Sequence, residues 1–300
     1  MNIRQLEAFR STVLAGTVSG AAALLGVSQP AVSRLLVQFE NSLGLAIFER
    51  TRNRLTLTPE GRLLYDEVER TFLSVDRIRD LAEDLKVANA GNIYIASLPA
   101  LALTLVPLAI RRFRKMHPRI TISLSVQSSP KVEDWIAAQQ FDFGLAQFPS
   151  GRLGLKSENF CSVPQVLIVP PGHPLGRRKV AGPKDLEGEP FISLTKATVG
   201  RHLVDKYFES RDIRRSLSLE AQYFGAVCKL VELGLGVGLV DPFTARDFRS
   251  RGGSVLAFRP SLEFEVSVLF PTHRPMSKPA RQFLLTLRAC QSDLLRGKTR

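Results

Sequence analysis

Acidic residues are scarce in this 300-residue chain: 28 Asp and Glu against 41 Lys and Arg leave a formal net charge of +13. Cysteine is scarcer still. Cys161, Cys228 and Cys290 stand far apart and form no CxxC or other ligand spacing, which argues against a disulfide framework or a zinc site. They read as reduced core thiols. Four scattered histidines, His117, His173, His202 and His273, suggest neither a metal cluster nor a catalytic set. The longest apolar run, Pro99 to Ile110, falls short of the roughly 20 residues a membrane helix needs and contains two prolines. The opening MNIRQLEAFRSTVL lacks the basic-then-apolar order of a signal peptide, so a cytoplasmic location without a membrane partner is expected.

What the chain does contain is grammar for two short helices joined by a tight turn, SGAAALLGVSQPAVSRLLVQFENSLG, from Ser19 to Gly44. Ser19 reads as the cap of a first helix with a small Ala21-Ala22-Ala23 face, inward Leu24 and Leu25, and a stop at Gly26. Ser28 reads as the cap of the second, and Pro30 falls in its first turn, where the missing N–H costs little. Val32, Leu35, Leu36, Phe39 and Leu43 make one apolar stripe, leaving Gln29, Ser33, Arg34 and Gln38 on the outer side. Arg forks onto guanine and Gln onto adenine, so this is groove-reading chemistry. An ordinary surface helix has the same spacing; the flanking segments decide between the two.

Before this pair, Ile3 to Leu14 shows helical spacing behind an Asn2 cap. After it, Ile47-Phe48 and Leu55-Leu57 read as two short strands around a polar tip. Arg50, Arg52 and Arg54 alternate there, placed for phosphates or a narrow minor groove. This predicts a winged helix-turn-helix over residues 1–60. From Pro59 to about Ala88, Leu64, Val68, Val75, Ile78 and Leu85 recur at spacings of three, four and seven, which predicts one helix about 45 Å long. A helix that long suits pairing with a second copy, hence a homodimer through residues 61–88. Residues 89–92, Asn-Ala-Gly-Asn, then read as a hinge.

Charge is uneven along these segments: residues 1–60 carry a net +2, residues 61–92 a net −2 and residues 93–300 a net +13. The excess therefore lies outside the DNA-reading module, and its local pattern carries the nucleic-acid argument. From Ile93 strand and helix patterns alternate, which predicts an α/β body with mostly parallel sheets. Pro164 and the Pro170-Pro171-Gly172 turn suggest a crossing into a second lobe, about 164–262, with lobe I formed by about 93–163 and 263–300. In such folds ligands sit at the carboxyl ends of strands and the N-termini of the following helices. Ser97, Leu98, Ser128, Ser129, Gln147, Thr195, Thr198, Phe224, Asp241 and Pro242 fall at those positions. Hydroxyls beside free N–H groups suit a carboxylate, and Asp241 suits an ammonium or guanidinium, so a zwitterion is expected. Each hydroxyl is equally explained as a helix cap.

With all four segments in place, the chain resembles the LysR-type transcriptional regulators over essentially its whole length. The resemblance is carried by AGTVSGAAALLGVSQPAVSRLLVQFENSLGLAIFERTRNRLTLTPEG, with Thr58-Pro59-Glu60-Gly61 where the family often has Thr-Glu-Ala-Gly. PPGHPL, FISL, ELGLGVGLVDPFTA and THRP look like the lysine-biosynthesis and opine-regulator branch. The resemblance implies a periplasmic-binding-protein-like effector domain, a homotetramer built as a dimer of dimers, and a small amino-acid-derived effector. It also implies double-stranded operator DNA as partner, RNA polymerase where the protein activates, nucleoid association when bound, and no cofactor, metal or catalytic residue. By position, Gln29, Pro30, Ser33 and Arg34 match the recognition-helix contacts, with Ser28 and Gln38 beside them.

Two other readings compete. An enzyme would need a nucleotide loop, and Gly234-Leu235-Gly236-Val237-Gly238 falls between a helix and the following strand, the reverse of the dinucleotide order. A solute-binding protein would fit the last 200 residues but not the N-terminal module.

Overall fold

Asn2 opens the first helix reciprocally: the Gln5 N–H donates to Asn2 Oδ1 at 3.0 Å and the Asn2 N–H donates to Gln5 Oε1 at 2.8 Å. In the computed structural model, which describes all but residues 52–53, 87–90, 148–150, 152 and 297–300 and leaves aside the side chains at 50–51, 54, 70, 73–74 and 76–86, this helix, α1, runs Ile3–Ala15. Gly16 ends it with φ +68°, and α2 (Val18–Leu25) begins at once. Its cap is Thr17, not Ser19. Thr17 is the extended residue after the turn, and its Oγ1 accepts from the Gly20 N–H at 3.0 Å, while Ser19 already lies inside the helix. Leu24 also departs from expectation, since it is 64% exposed; Ala21 and Ala22 make the buried face.

The second helix of the pair, α3, spans Gln29–Leu43 and buries Val32, Leu36 and Phe39. Phe39 packs on Phe9 with ring centroids 5.5 Å apart. The antiparallel hairpin β1 (Phe48–Thr51) and β2 (Arg54–Leu57) follows, with Phe48 opposite Leu57. Then comes α4 (Pro59–Lys86), whose Val68 and Phe72 close the same core. The helix as far as Leu85 thus belongs to the N-terminal unit, Met1–Leu85. Of the expected stripe, Ile78 and Leu85 lie outside the described side chains.

The second unit is Lys86–Arg300. Asn92, expected in the hinge, is instead the first residue of β3 (Asn92–Ser97); residues 89 and 90 are outside the described part. There follow α5 (Pro99–Ala102), α6 (Leu105–Met116), β4 (Thr121–Val126), α7 (Ser129–Ala137), β5 (Phe143–Ala146), β6 (Leu155–Pro164) and β7 (Val166–Val169). The chain continues through β8 (Val180–Ala181), β9 (Pro190–Leu194), α8 (Val199–Glu209), β10 (Ser216–Ala221), α9 (Phe224–Glu232) and β11 (Gly238–Val240). It ends with α10 (Pro242–Ser250), β12 (Ser254–Phe258), β13 (Glu263–Pro271) and α11 (Lys278–Leu295).

One sheet has the order β4-β3-β5-β13-β6; a second has β11-β7-β12-β8, beside the parallel pair β10-β9. The expectation of mostly parallel sheets fails. Antiparallel pairings are as numerous as parallel ones, because β13 runs against both β5 and β6, and β7 runs against both β11 and β12. Strands β6, β8 and β12 were not anticipated from the sequence. β6 is exposed along Lys156–Asn159, so it lacks the apolar run that marks a buried strand. The chain crosses between the two sheets at residues 164–166 and returns before β13, where the Gln165 N–H donates to the Leu262 carbonyl at 2.8 Å. Around the first sheet, Ile93, Ile95, Phe113, Phe143 and Phe283 pack as a core; Leu167, Phe191, Phe208 and Phe258 do so in the other lobe. No single helix among the described residues is long and apolar enough to cross a membrane.

Candidate functional site

Helix α3 buries one stripe and offers the other to solvent. Ser28, Gln29, Pro30, Arg34 and Gln38 are exposed and Ser33 is half-buried. Ser28 occupies the cap position without a side-chain bond to the helix, so its hydroxyl is not used in capping. The wing is bound to this helix. Glu40 Oε1 accepts from the Ile47 N–H at 2.9 Å and the Phe48 N–H at 3.2 Å, tying the start of β1 to α3. Thr58 then donates its hydroxyl to the Ala46 carbonyl at 2.9 Å and accepts from the Gly61 N–H at 3.0 Å. At Gly61 the turn comes so close that a Cβ would stand 2.2 Å from the Ile47 carbonyl oxygen, so only glycine fits. Arg50 pairs with Leu55 and Thr51 with Arg54 across the hairpin, which puts Arg50 and Arg54 in the strands next to the tip. Their side chains, and Arg52 altogether, lie outside the described residues.

In the second unit a cavity of about 230 Å³ opens where several helices begin. Leu98 precedes α5, Ser128 is the cap residue of α7, Thr198 of α8 and Tyr223 of α9, and all four line it. No side chain caps α7 or α9. Ser129 is turned to the wall and its Oγ accepts from the Gln147 N–H at 2.9 Å; Thr198 donates to the Thr195 carbonyl at 2.9 Å. Leu194, Val199, Pro99 and Pro130 supply apolar surface. Among the described residues, none in the wall carries a carboxylate, ammonium, guanidinium or imidazole. Helix N-termini directed at an uncharged cavity favour a small anion.

Seven of the ten expected residues meet at this cavity: Leu98, Ser128, Ser129, Gln147, Thr195, Thr198 and Phe224. Three do not. Ser97 is fully buried and donates to the Leu98 carbonyl at 3.0 Å. Asp241 is fully buried and caps α10, one oxygen accepting from the Phe243 and Thr244 N–H groups at 2.9 Å each. Burial raises its pKa, and the same interior pushes the Cys161 and Cys228 thiols up to about 12. Pro242 lines a different groove, with Arg246 and Arg249. The expected ammonium partner is thus withdrawn from the cavity. Gln222 and Tyr223 were missed; their position just ahead of Phe224, at the start of α9, was the available signal.

Residues 3–62 match the family model described as "Bacterial regulatory helix-turn-helix protein, lysR family", and residues 87–291 match "LysR substrate binding domain". The chain belongs to the LysR family. It is 36% identical over 283 residues to the transcriptional activator protein LysR of Escherichia coli (strain K12), covering 94% of this chain and 91% of that one. It is 33% identical to the regulatory protein NocR of Agrobacterium fabrum, covering 95% of each. The octopine catabolism/uptake operon regulatory protein OccR of Rhizobium meliloti is 35% identical, over 87% of this chain and 85% of that one. The fold is also that of the crystal structure of CbnR, a LysR family transcriptional regulator, at TM-score 0.77 and 20% identity, covering 97% and 99% of the two chains. LysR-family proteins are non-enzymatic DNA-binding transcriptional regulators with an effector-binding domain, and this chain has both parts.

The glycine run fits that assignment. It joins α9 to β11, and at Gly236, with φ +149°, a Cβ would stand 2.2 Å from the Pro190 carbonyl oxygen. The Val237 N–H donates to that carbonyl at 2.8 Å, so these glycines let one strand approach another.

Proposed function

We propose that α3 reads an operator through Gln29, Ser33, Arg34 and Gln38, with Ser28 and Pro30 at its entry, while Arg50, Arg52 and Arg54 on the wing hold the phosphate backbone. The exposure of the outer face of α3 beside a wing anchored by Glu40 supports this. Long helix α4 pairs with a second copy, giving a homodimer that assembles further into a homotetramer and, where it activates, contacts RNA polymerase. It works in the cytoplasm, at the nucleoid. The 28-residue length of α4 supports the pairing. DNA as partner is in keeping with the full-length CbnR structure, which is complexed with its target DNA.

The cavity of the second unit binds a small carboxylate effector, an amino acid or its derivative. The observation carrying this is the meeting of the α7, α8 and α9 N-termini around one uncharged pocket. One of the relatives fits the same chemistry in name, the octopine catabolism/uptake operon regulatory protein. Ligand binding shifts the populations of lobe or subunit arrangements, and thereby the spacing of the DNA-reading pairs.

Footprinting tests the first half. Arg34→Ala should lose sequence-specific protection with its circular dichroism unchanged, and Arg52→Ala should weaken all sequences evenly and lower the salt slope by about 1. Retained protection in Arg34→Ala refutes the reading of α3. A thermal-shift screen of amino acids, opines, aromatic acids, sugar phosphates and neutral sugars tests the second, and stabilisation by neutral compounds alone refutes the carboxylate site.

A further inference from the structure

Behind the effector cavity lies a second, much smaller chamber of about 10 Å³, room for one water-sized group. The two share Leu194, Gly200 and Phe224 as walls. The chamber is lined on its inner side by Gln165, Ser193 and Arg201. Gln165 sits at the crossing between the lobes, 3% exposed, and its Oε1 is buried without a hydrogen-bond partner. A buried amide oxygen left unpaired carries a desolvation penalty that a bound donor would recover. Arg201 does not make the chamber a site for anions. Its guanidinium donates to Asp205, Glu220 and the Leu194 carbonyl, and Arg215 also donates to Asp205, so two cations and two carboxylates balance.

We infer that this chamber is a donor-selective subsite of the effector cavity: Gln165 Oε1 accepts a hydrogen bond from an amine or hydroxyl on the ligand, distal to the carboxylate held at the helix N-termini. The inference rests on the effector reading above and deepens it. An ammonium or hydroxyl group is close to water in size, which suits the chamber, and a ligand that reaches it from the cavity passes the shared walls Leu194, Gly200 and Phe224. The subsite does for the far end of the ligand what Asp241, capped away in α10, does not.

The test is isothermal titration of the full-length protein with straight-chain carboxylates that differ only at the far end. The series is 4-aminobutyrate, 5-aminopentanoate and 6-aminohexanoate, the matching ω-hydroxy acids, and pentanoate, hexanoate and heptanoate as methyl-ended isosteres. At the length that reaches the chamber, the amine- or hydroxyl-ended acid should bind about tenfold more tightly than its isostere. In Gln165→Leu that preference should fall to within about twofold while the methyl-ended acid binds as before. Where Gln165→Leu unfolds, Gln165→Glu serves, and should favour the amine over the hydroxyl by a larger factor than the parent does. Equal binding of donor- and methyl-ended acids at every length, meaning that only water fills the chamber, overturns the subsite and leaves the carboxylate reading standing. Binding by none of the carboxylates overturns both.

Discussion

Replacing Asp241 by Asn gives a stability difference whose dependence on pH follows from the structure. The Asp241 carboxyl is fully buried; one oxygen caps α10 through two bonds of 2.9 Å and the other has no partner. Desolvation outweighs the cap and raises the pKa above the ordinary 3.8. The folded state therefore holds this proton more tightly than the unfolded state. Its stabilising contribution is complete below the unfolded pKa and is lost as pH rises to the folded pKa, with a slope approaching about 1.4 kcal/mol per pH unit inside that window. Asparagine caps a helix about as well as aspartate and carries no charge, so the variant lacks this slope. The stability of Asp241→Asn minus that of the parent should accordingly climb from about pH 4 upward and level off once the aspartate has ionised; other groups titrate alike in both proteins and cancel. The chain has one tryptophan, Trp135, stacked on Phe141 in the same unit at 5.1 Å between ring centroids. Its fluorescence, followed in urea at half-unit steps from pH 4 to 8, reads the unfolding of that unit. Parallel curves for the two proteins would refute the burial argument, whatever their constant offset.

The N-terminal unit and the thiols give two more tests. Gly61→Ala gains about 1 kcal/mol of helix propensity but forces a Cβ against the Ile47 carbonyl, and overpacking against backbone costs about 1–3 kcal/mol or more. The calorimetric transition of the N-terminal unit should fall by several degrees and DNA binding with it; an unchanged transition would mean that the α4 start is free to move. Burial pushes Cys161 and Cys228 up to about 12, so iodoacetamide at pH 8 should leave both unmodified in the folded protein under conditions that label them fully in guanidinium. Rapid native labelling would contradict their place in the core.

The N-terminal unit was legible in its periodicity because short-range signals determine it. Apolar residues at helical spacing, glycines in the left-handed region at 16, 26 and 44, and a proline in the first turn of α3 all act within a few residues of themselves. The cap at Thr17 was misread because Ser19 is equally good chemistry; the deciding factor was the extended backbone that Gly16 leaves behind it. Sheet direction in the second unit was not legible. Whether β13 runs with or against β5 depends on where a chain returning from the other lobe enters, and no local pattern encodes that.

The three residues that left the candidate site show what a strand-end rule can and cannot supply. It locates the backbone at the mouth of a sheet, and it did so for Ser97 and Leu98 alike. Ser97 is the last residue of β3 and is turned to the interior, whereas Leu98, already past the strand at the cap position of α5, lines the cavity. At Asp241 the same rule selected a strand end whose helix, α10, does not begin at the cavity. Counting hydroxyls and acids at strand ends therefore overstates the charge in the site. With Asp241 withdrawn, no described residue of the cavity wall carries a fixed negative charge to attract a cation from a distance. A preference for an amine then comes from neutral acceptors at contact range, such as Gln147 and Gln222 in the cavity and the unpartnered oxygen of Gln165 in the chamber behind it. Neutral acceptors are little affected by salt, so affinity differences between amine-ended and methyl-ended ligands should persist as ionic strength rises, whereas long-range attraction by a solvent-exposed carboxylate would weaken.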